Sequence, residues 1–137
     1  MKYALLIYGD EQAWADIDEA GMREVYAAHE AYGKEMTEAG VLRGGSELAP
    51  SHTASSLRFA NGKTTLHDGP FAEAREQLGG FYLIEVDSLD EAIAWARKMP
   101  AMGEGTVEIR PLGMEGADCA ACPWLCPGAA RWTSCLR

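Results

Sequence analysis

Lys2-Tyr3-Ala4-Leu5-Leu6-Ile7-Tyr8 carries apolar side chains on both alternating sets of a strand: Tyr3, Leu5 and Ile7 on one, Ala4, Leu6 and Tyr8 on the other. A strand with that pattern is covered on both faces. Gly9-Asp10 ends it, and Phe81 to Val86 repeats the pattern later in the chain. Whatever fold holds these two strands must place a layer on each side of them.

The elements around the strands are readable from their periods. From about Asp18 to Ala39, the positions Met22, Val25, His29, Tyr32, Met36 and Ala39 recur at spacings of three and four, with charged residues between them and Gly40 as the stop. This predicts an amphipathic helix with His29 in the middle of its apolar stripe. Gly44-Gly45 reads as a turn. Residues 54–60 and 63–67 flank Asn61-Gly62, the favoured pair for a type I′ turn, and predict a β-hairpin. Asp68 to Gly80 reads as a loop broken by Pro70 and the glycines. Ser88 with Glu91 three residues later is a capping-box signature that starts a helix ended by Pro100. Thr106 to Pro111 alternates as a last strand. The order β-α-β-β-α-β describes an α+β, ferredoxin-like subunit: an antiparallel sheet with its helices on one face. The bare second face then calls for a homodimer that pairs two sheets, because a chain of 137 residues has no spare element to cover it.

Length and charge bound the function. A chain of this size makes one domain. The formal charge of -9 disfavours phosphate backbones and anionic headgroups, so neither nucleic acid nor membrane is the expected partner. No apolar run reaches the roughly 18–20 residues of a membrane helix, and the N-terminal apolar run is a poor secretory signal, so a cytoplasmic location is expected. Gly44-Gly45 and Gly79-Gly80 lack the helix and Lys of a phosphate-binding loop, and no nucleophile elbow is present. No cofactor is expected. The partners that remain are a small molecule and a second copy of the chain.

His29 is the candidate general acid or base, because an imidazole titrates near neutrality and can take a substrate proton within hydrogen-bond reach. The alternative is a core histidine satisfied by a backbone carbonyl or a Tyr. Asp68, in a loop that can turn back toward the sheet, is the candidate that orients it; an Asx-turn residue capping its own backbone is the competing role. Arg75 and Glu76 are candidates for the polar wall of a site that accepts an anion, or else a solvated charge run. Arg110 is a second possible anchor, with Glu108 pairing a loop Arg. His67 ends the hairpin beside Asp68 and is either part of the same site or, as the favoured reading, exposed at a strand end; His52, in a Ser/Thr-rich connection, carries no signal.

The string Asp68-Gly69-Pro70-Phe71-Ala72-Glu73-Ala74-Arg75-Glu76-Gln77-Leu78-Gly79-Gly80-Phe81-Tyr82 resembles the signature of the DGPF group of YCII-related (YciI-like) proteins. The likeness extends to Lys2–Tyr8, to Ser88 with Asp90-Glu91-Ala92, to Pro100 and to Val107-Glu108-Ile109-Arg110-Pro111, covering about residues 1–113. It implies a dimeric α/β barrel with a pocket between sheet and helices or at the barrel's edge. Phe71 and Tyr82 of this string join Arg75, Glu76 and Arg110 as substrate-binding candidates. Some relatives are linked to lyase chemistry with a His and an Asp as the active pair, which implies His29 and Asp68 here. Others of the group are associated with sigma-factor systems, which implies a non-catalytic binding or regulatory module. The reading favoured is a cofactor-free lyase or isomerase.

All four cysteines, Cys119, Cys122, Cys126 and Cys135, fall in residues 114–137, a tail the fold does not need. The C-x2-C pair has a zinc or redox spacing but no matching second pair. The tail is expected to be poorly ordered or foreign to the domain. Its charges cancel, so the whole -9 belongs to residues 1–113.

Overall fold

The computed structural model describes residues 1–100 and 103–113; the four cysteines lie outside them. β1 (Lys2–Gly9) is an inner strand of a four-stranded sheet whose order is β2-β5-β1-β6, with β2 at Leu42–Glu47, β5 at Gln77–Glu85 and β6 at Gly105–Pro111. All three pairings are antiparallel. Two long helices, α2 (Glu19–Glu38) and α3 (Leu89–Lys98), connect β1 to β2 and β5 to β6. This is the expected ferredoxin-like βαββαβ subunit, the unit from which dimeric α/β barrels are built.

The first set of β1 side chains forms the core with the helices. Tyr3 and Leu5 pack with Tyr32 and Met36 of α2, with Ile84 and Val86 at the end of β5, and with Ala92 and Met99 at α3. Leu5, Met36 and Ile84 are fully buried. Their burial supplies the main cohesion between layers, at about 1.5–3 kcal/mol for each such side chain. The α2 stripe holds for Val25, Tyr32 and Met36, while Met22 and His29 are half-buried and Ala39 is the exposed C-cap. Asp18 caps α2 by accepting from the Gly21 amide at 2.8 Å. At α3 the Ser88 hydroxyl accepts from the Glu91 amide at 3.2 Å, and the Glu91 carboxylate accepts in return from Asp87 rather than from Ser88.

The second set, Ala4, Leu6 and Tyr8, shares the opposite face with Phe81 and Leu83, its cross-strand neighbours. Within this chain no described helix covers that face, and all but Ala4 stay half-buried.

Four details depart from the expectations. Gly44-Gly45 is not a turn but runs inside β2. A Cβ on Gly45 would stand 2.8 Å from the Phe81 carbonyl and 2.9 Å from the Tyr82 ring, so the glycine is there for close approach of two strands. Gly79-Gly80 likewise lies inside β5, which starts at Gln77 rather than Phe81. The predicted hairpin, β3 (Ser55–Ala60) and β4 (Lys63–Asp68), exists with Asn61 and Gly62 at positive φ, but it forms its own two-stranded sheet. The second strand of the motif is therefore β2, and the hairpin is an insertion between β2 and β5. A short helix, α1 (Glu11–Ala15), follows β1 where only a strand end was expected, with Asp10 as its N-cap.

Candidate functional site

α2 crosses the sheet so that its middle turns stand over β2 and β5. Tyr26 and His29, three residues apart, share one side of the helix. Opposite them, Gly45 is the cross-strand neighbour of Tyr82, and Glu47 is that of Gly80. The strand period puts Glu47 and Tyr82 on one sheet face.

The site centres on His29 and Tyr82. The His29 Nδ1 and the Tyr82 hydroxyl are 2.9 Å apart, and the two rings are nearly parallel at 15°. Tyr32 meets the Tyr82 ring edge-on, with centroids 5.4 Å apart. The Tyr32 hydroxyl donates to the Trp95 carbonyl at 2.8 Å, fixing Tyr32 between α2 and α3. Tyr82 is thus held from two sides while its hydroxyl engages the imidazole. Among the described residues, His29 makes no other hydrogen bond, which leaves Nε2 for a ligand.

Burial pushes the His29 pKa below its ordinary value, and the negative field of Glu47 partly offsets that. The imidazole is consequently neutral at pH 7. Burial raises the Tyr82 phenol, so it too is neutral. With Nδ1–H donating to the Tyr82 oxygen, Nε2 carries the lone pair and is a base; with the Tyr82 O–H donating to Nδ1, Nε2 carries a proton. One hydroxyl therefore supports either direction of proton transfer.

Tyr26 and Glu47 form the second polar pair. The Tyr26 hydroxyl is 3.3 Å from each Glu47 carboxylate oxygen. The charge of Glu47 raises the Tyr26 pKa. Among the described residues, no three His, Cys, Asp or Glu side chains converge as a metal ion would require.

The pattern of the YCII-related domain matches residues 1–113, the whole of the described fold. The chain belongs to the YCII-related family. It is also 43% identical over 120 residues to an uncharacterized protein of Rhizobium meliloti (strain 1021), an alignment covering 83% of this chain and 94% of that one. In this YCII-related subunit no helix among the described residues is long and apolar enough to cross a membrane.

The remaining expected site residues are dispersed. Tyr82 joins His29 as described. Asp68 ends β4 in the separate hairpin, exposed and paired through its backbone with Ser55; among the described residues no hydrogen bond links it to His29. The carboxylate whose field reaches His29 is Glu47. Arg75 and Glu76 line a different cavity of about 480 Å³ with Asp10 and Glu104. Phe71 is 84% exposed just beyond the hairpin. Arg110 sits opposite Ala4, on the sheet face turned away from His29, and pairs with Glu108. Glu108 therefore pairs along its own strand rather than with a loop Arg. His67 lies exposed on β4, and His52 sits in the 3₁₀ turn Ser51–Thr53.

Tyr26, Glu47 and Gly45 were missed by sequence reasoning. Tyr26 carried a signal, being one helical turn before His29. Glu47 and Gly45 carried none, because their place opposite β5 depends on a bulge at Leu42–Gly44 that sets the β2–β5 register.

Proposed function

We propose that this YCII-related subunit binds a small molecule beside His29 and carries out cofactor-free proton transfer of the lyase or isomerase type. The observation that carries this reading is the 2.9 Å approach of the Tyr82 hydroxyl to the His29 Nδ1. It holds the ring direction in either tautomer and leaves Nε2 without a partner among the described residues, as a general acid or base requires. Tyr82 takes the orienting place that the family likeness would give to Asp68. A neutral orienting hydroxyl does not stabilise an imidazolium as a carboxylate would, and Glu47 supplies the missing negative field.

The subunit acts as a homodimer that stacks two sheets through the face carrying Ala4, Leu6, Tyr8, Phe81 and Leu83. Support comes from the apolar character of that face, on which Leu6, Tyr8, Phe81 and Leu83 are only half-buried in the single chain.

The experiment is deuterium exchange. A panel of small carbonyl compounds with acidic C–H bonds is incubated in D2O with the wild type and with His29→Gln, and incorporation is followed by NMR. A general acid–base residue contributes on the order of 100- to 10,000-fold, so His29→Gln should lose at least about 100-fold of any enzyme-dependent exchange. Equal exchange by both proteins overturns the reading.

A further inference from the structure

Among the described residues, Glu47 is a carboxylate without a cation. The basic side chains of α2 and β2 are each already paired: Arg23 with Glu19 at 3.1 Å, Lys34 with Glu38 at 3.9 Å and Arg43 with Glu85 at 2.8 Å. Glu47 is exposed, and among the described residues its carboxylate hydrogen-bonds only to the Tyr26 hydroxyl, 3.3 Å from each oxygen. One O–H shared between two oxygens leaves most of their acceptor capacity unused. The Tyr26 ring beside it is 52% exposed.

The fold sets this pair next to the candidate base. Tyr26 stands one helical turn before His29 on α2. On the sheet face toward α2, Gly45 is the cross-strand neighbour of Tyr82, and Glu47 comes two residues later on the same strand. Glu47 and Tyr82 are therefore diagonal neighbours, rooted roughly 7–8 Å apart. Gly45 is exposed, so the strip of β2 between them carries no side chain. That distance is the span of a compact ligand reaching from Glu47 to the His29–Tyr82 pair. The field of Glu47 reaches the His29 ring, so both groups act on what lies there.

The composition of the site says what it takes. A carboxylate with an exposed aromatic ring beside it suits an ammonium group, which gains a charge-assisted hydrogen bond from the one and the ring's negative face from the other. An anionic ligand has no counterpart here, because Arg75 lines the other cavity and Arg110 lies on the opposite sheet face. A metal ion would need further ligands, and among the described residues no three His, Cys, Asp or Glu side chains converge. An organic cation needs only the one carboxylate.

We propose that Glu47, with Tyr26, holds a protonated amine of the ligand, so that the substrate class is a small carbonyl compound carrying an ammonium group a few bonds from the carbon whose proton His29 moves. The inference rests on the proton-transfer reading of His29 and adds its specificity. Glu47 selects the ligand, Tyr26 orients Glu47, and His29 acts.

The test is deuterium exchange at pH 7, above the buffer background, on a matched pair of ketones. (Dimethylamino)acetone is the ammonium compound, isobutyl methyl ketone its neutral isostere, and levulinate an anionic control. The proteins are the wild type and Glu47→Gln, with circular dichroism to check that the variant is folded. The expected result is a wild-type preference for the ammonium compound in kcat/KM that Glu47→Gln lowers at least about 5-fold, the worth of one surface charge pair, and that added salt weakens. A carboxylate acting only through His29 would move both ketones alike. An unchanged preference in Glu47→Gln, or a wild-type preference for levulinate or the neutral ketone, therefore overturns the inference and leaves proton transfer standing. If the wild type exchanges none of the three, the His29 reading falls, and NMR titration with (dimethylamino)acetone decides the site. A saturable shift of the Tyr26 and His29 signals that Glu47→Gln abolishes keeps the cation site; no shift, or one that survives in Glu47→Gln, overturns it too.

Discussion

The His29 imidazole lies within 15° of parallel to the Tyr82 ring while its Nδ1 stands 2.9 Å from that ring's hydroxyl. One side chain thus stacks on the plane of the candidate base and occupies its Nδ1. Tyr82→Phe keeps the ring and removes only the hydroxyl, so the variant should stay folded, losing about 1 kcal/mol in denaturant unfolding. Nitrogen NMR of the His29 ring should then show the Nδ1 resonance moving more than that of Nε2.

Glu47 acts on both Tyr26 and His29, raising the pKa of each. Glu47→Gln should therefore lower both, moving His29 still further below its ordinary value. Histidine-resolved NMR titration checks this, and an unchanged His29 midpoint would show that the carboxylate does not reach the ring.

Gly45 should tolerate no side chain. Gly45→Ala places a Cβ against the backbone carbonyl of Phe81 and the ring of Tyr82, and overpacking of this kind costs about 1–3 kcal/mol. Chemical denaturation reads the loss, and perturbation of the Tyr82 and His29 resonances shows where the strain falls.

Stability should fall at both ends of the pH range. The His29 pKa is lower in the folded protein than in the unfolded chain, so the unfolded chain binds more protons as pH drops below about 6.5. Stability is then lost on acidification from that point down to the folded pKa, and His29→Gln should flatten this part of the profile. Tyr32 and Tyr82 are raised by burial, so above about pH 10 the unfolded chain releases protons that the folded one keeps. Stability falls there as pH rises, and Tyr32→Phe should reduce the slope. Thermal unfolding across pH 4 to 11 checks both limbs.

The fold was legible wherever one residue set had one period. Lys2–Tyr8, the α2 period and the Ser88 cap each formed the element expected of them, although the second face of Lys2–Tyr8 has no described helix over it and Met22 and His29 of the stripe are only half-buried. Asn61-Gly62 gave the hairpin but could not say which sheet it would join. The glycine pairs misled because Gly44-Gly45 and Gly79-Gly80 serve close contact between β2 and β5, a tertiary need that resembles turn chemistry in one dimension. The structure brings His29 and Tyr82 together, in the Tyr-bonded arrangement that the sequence left as the alternative to a base. The Asp68, Arg75 and Arg110 assignments depended on where a loop, an insertion and a strand face would point. Glu47 entered through a strand that the sequence did not reveal.

The central claim is that His29 is a neutral, accessible imidazole poised by Tyr82. Its most direct test is a pH titration of the His29 ring by nitrogen-resolved NMR in the wild type. The account predicts a midpoint below 6.5 and a resonance that titrates in fast or intermediate exchange with solvent. A His29 that does not titrate between pH 4 and 8, or that titrates above 6.5, would contradict it.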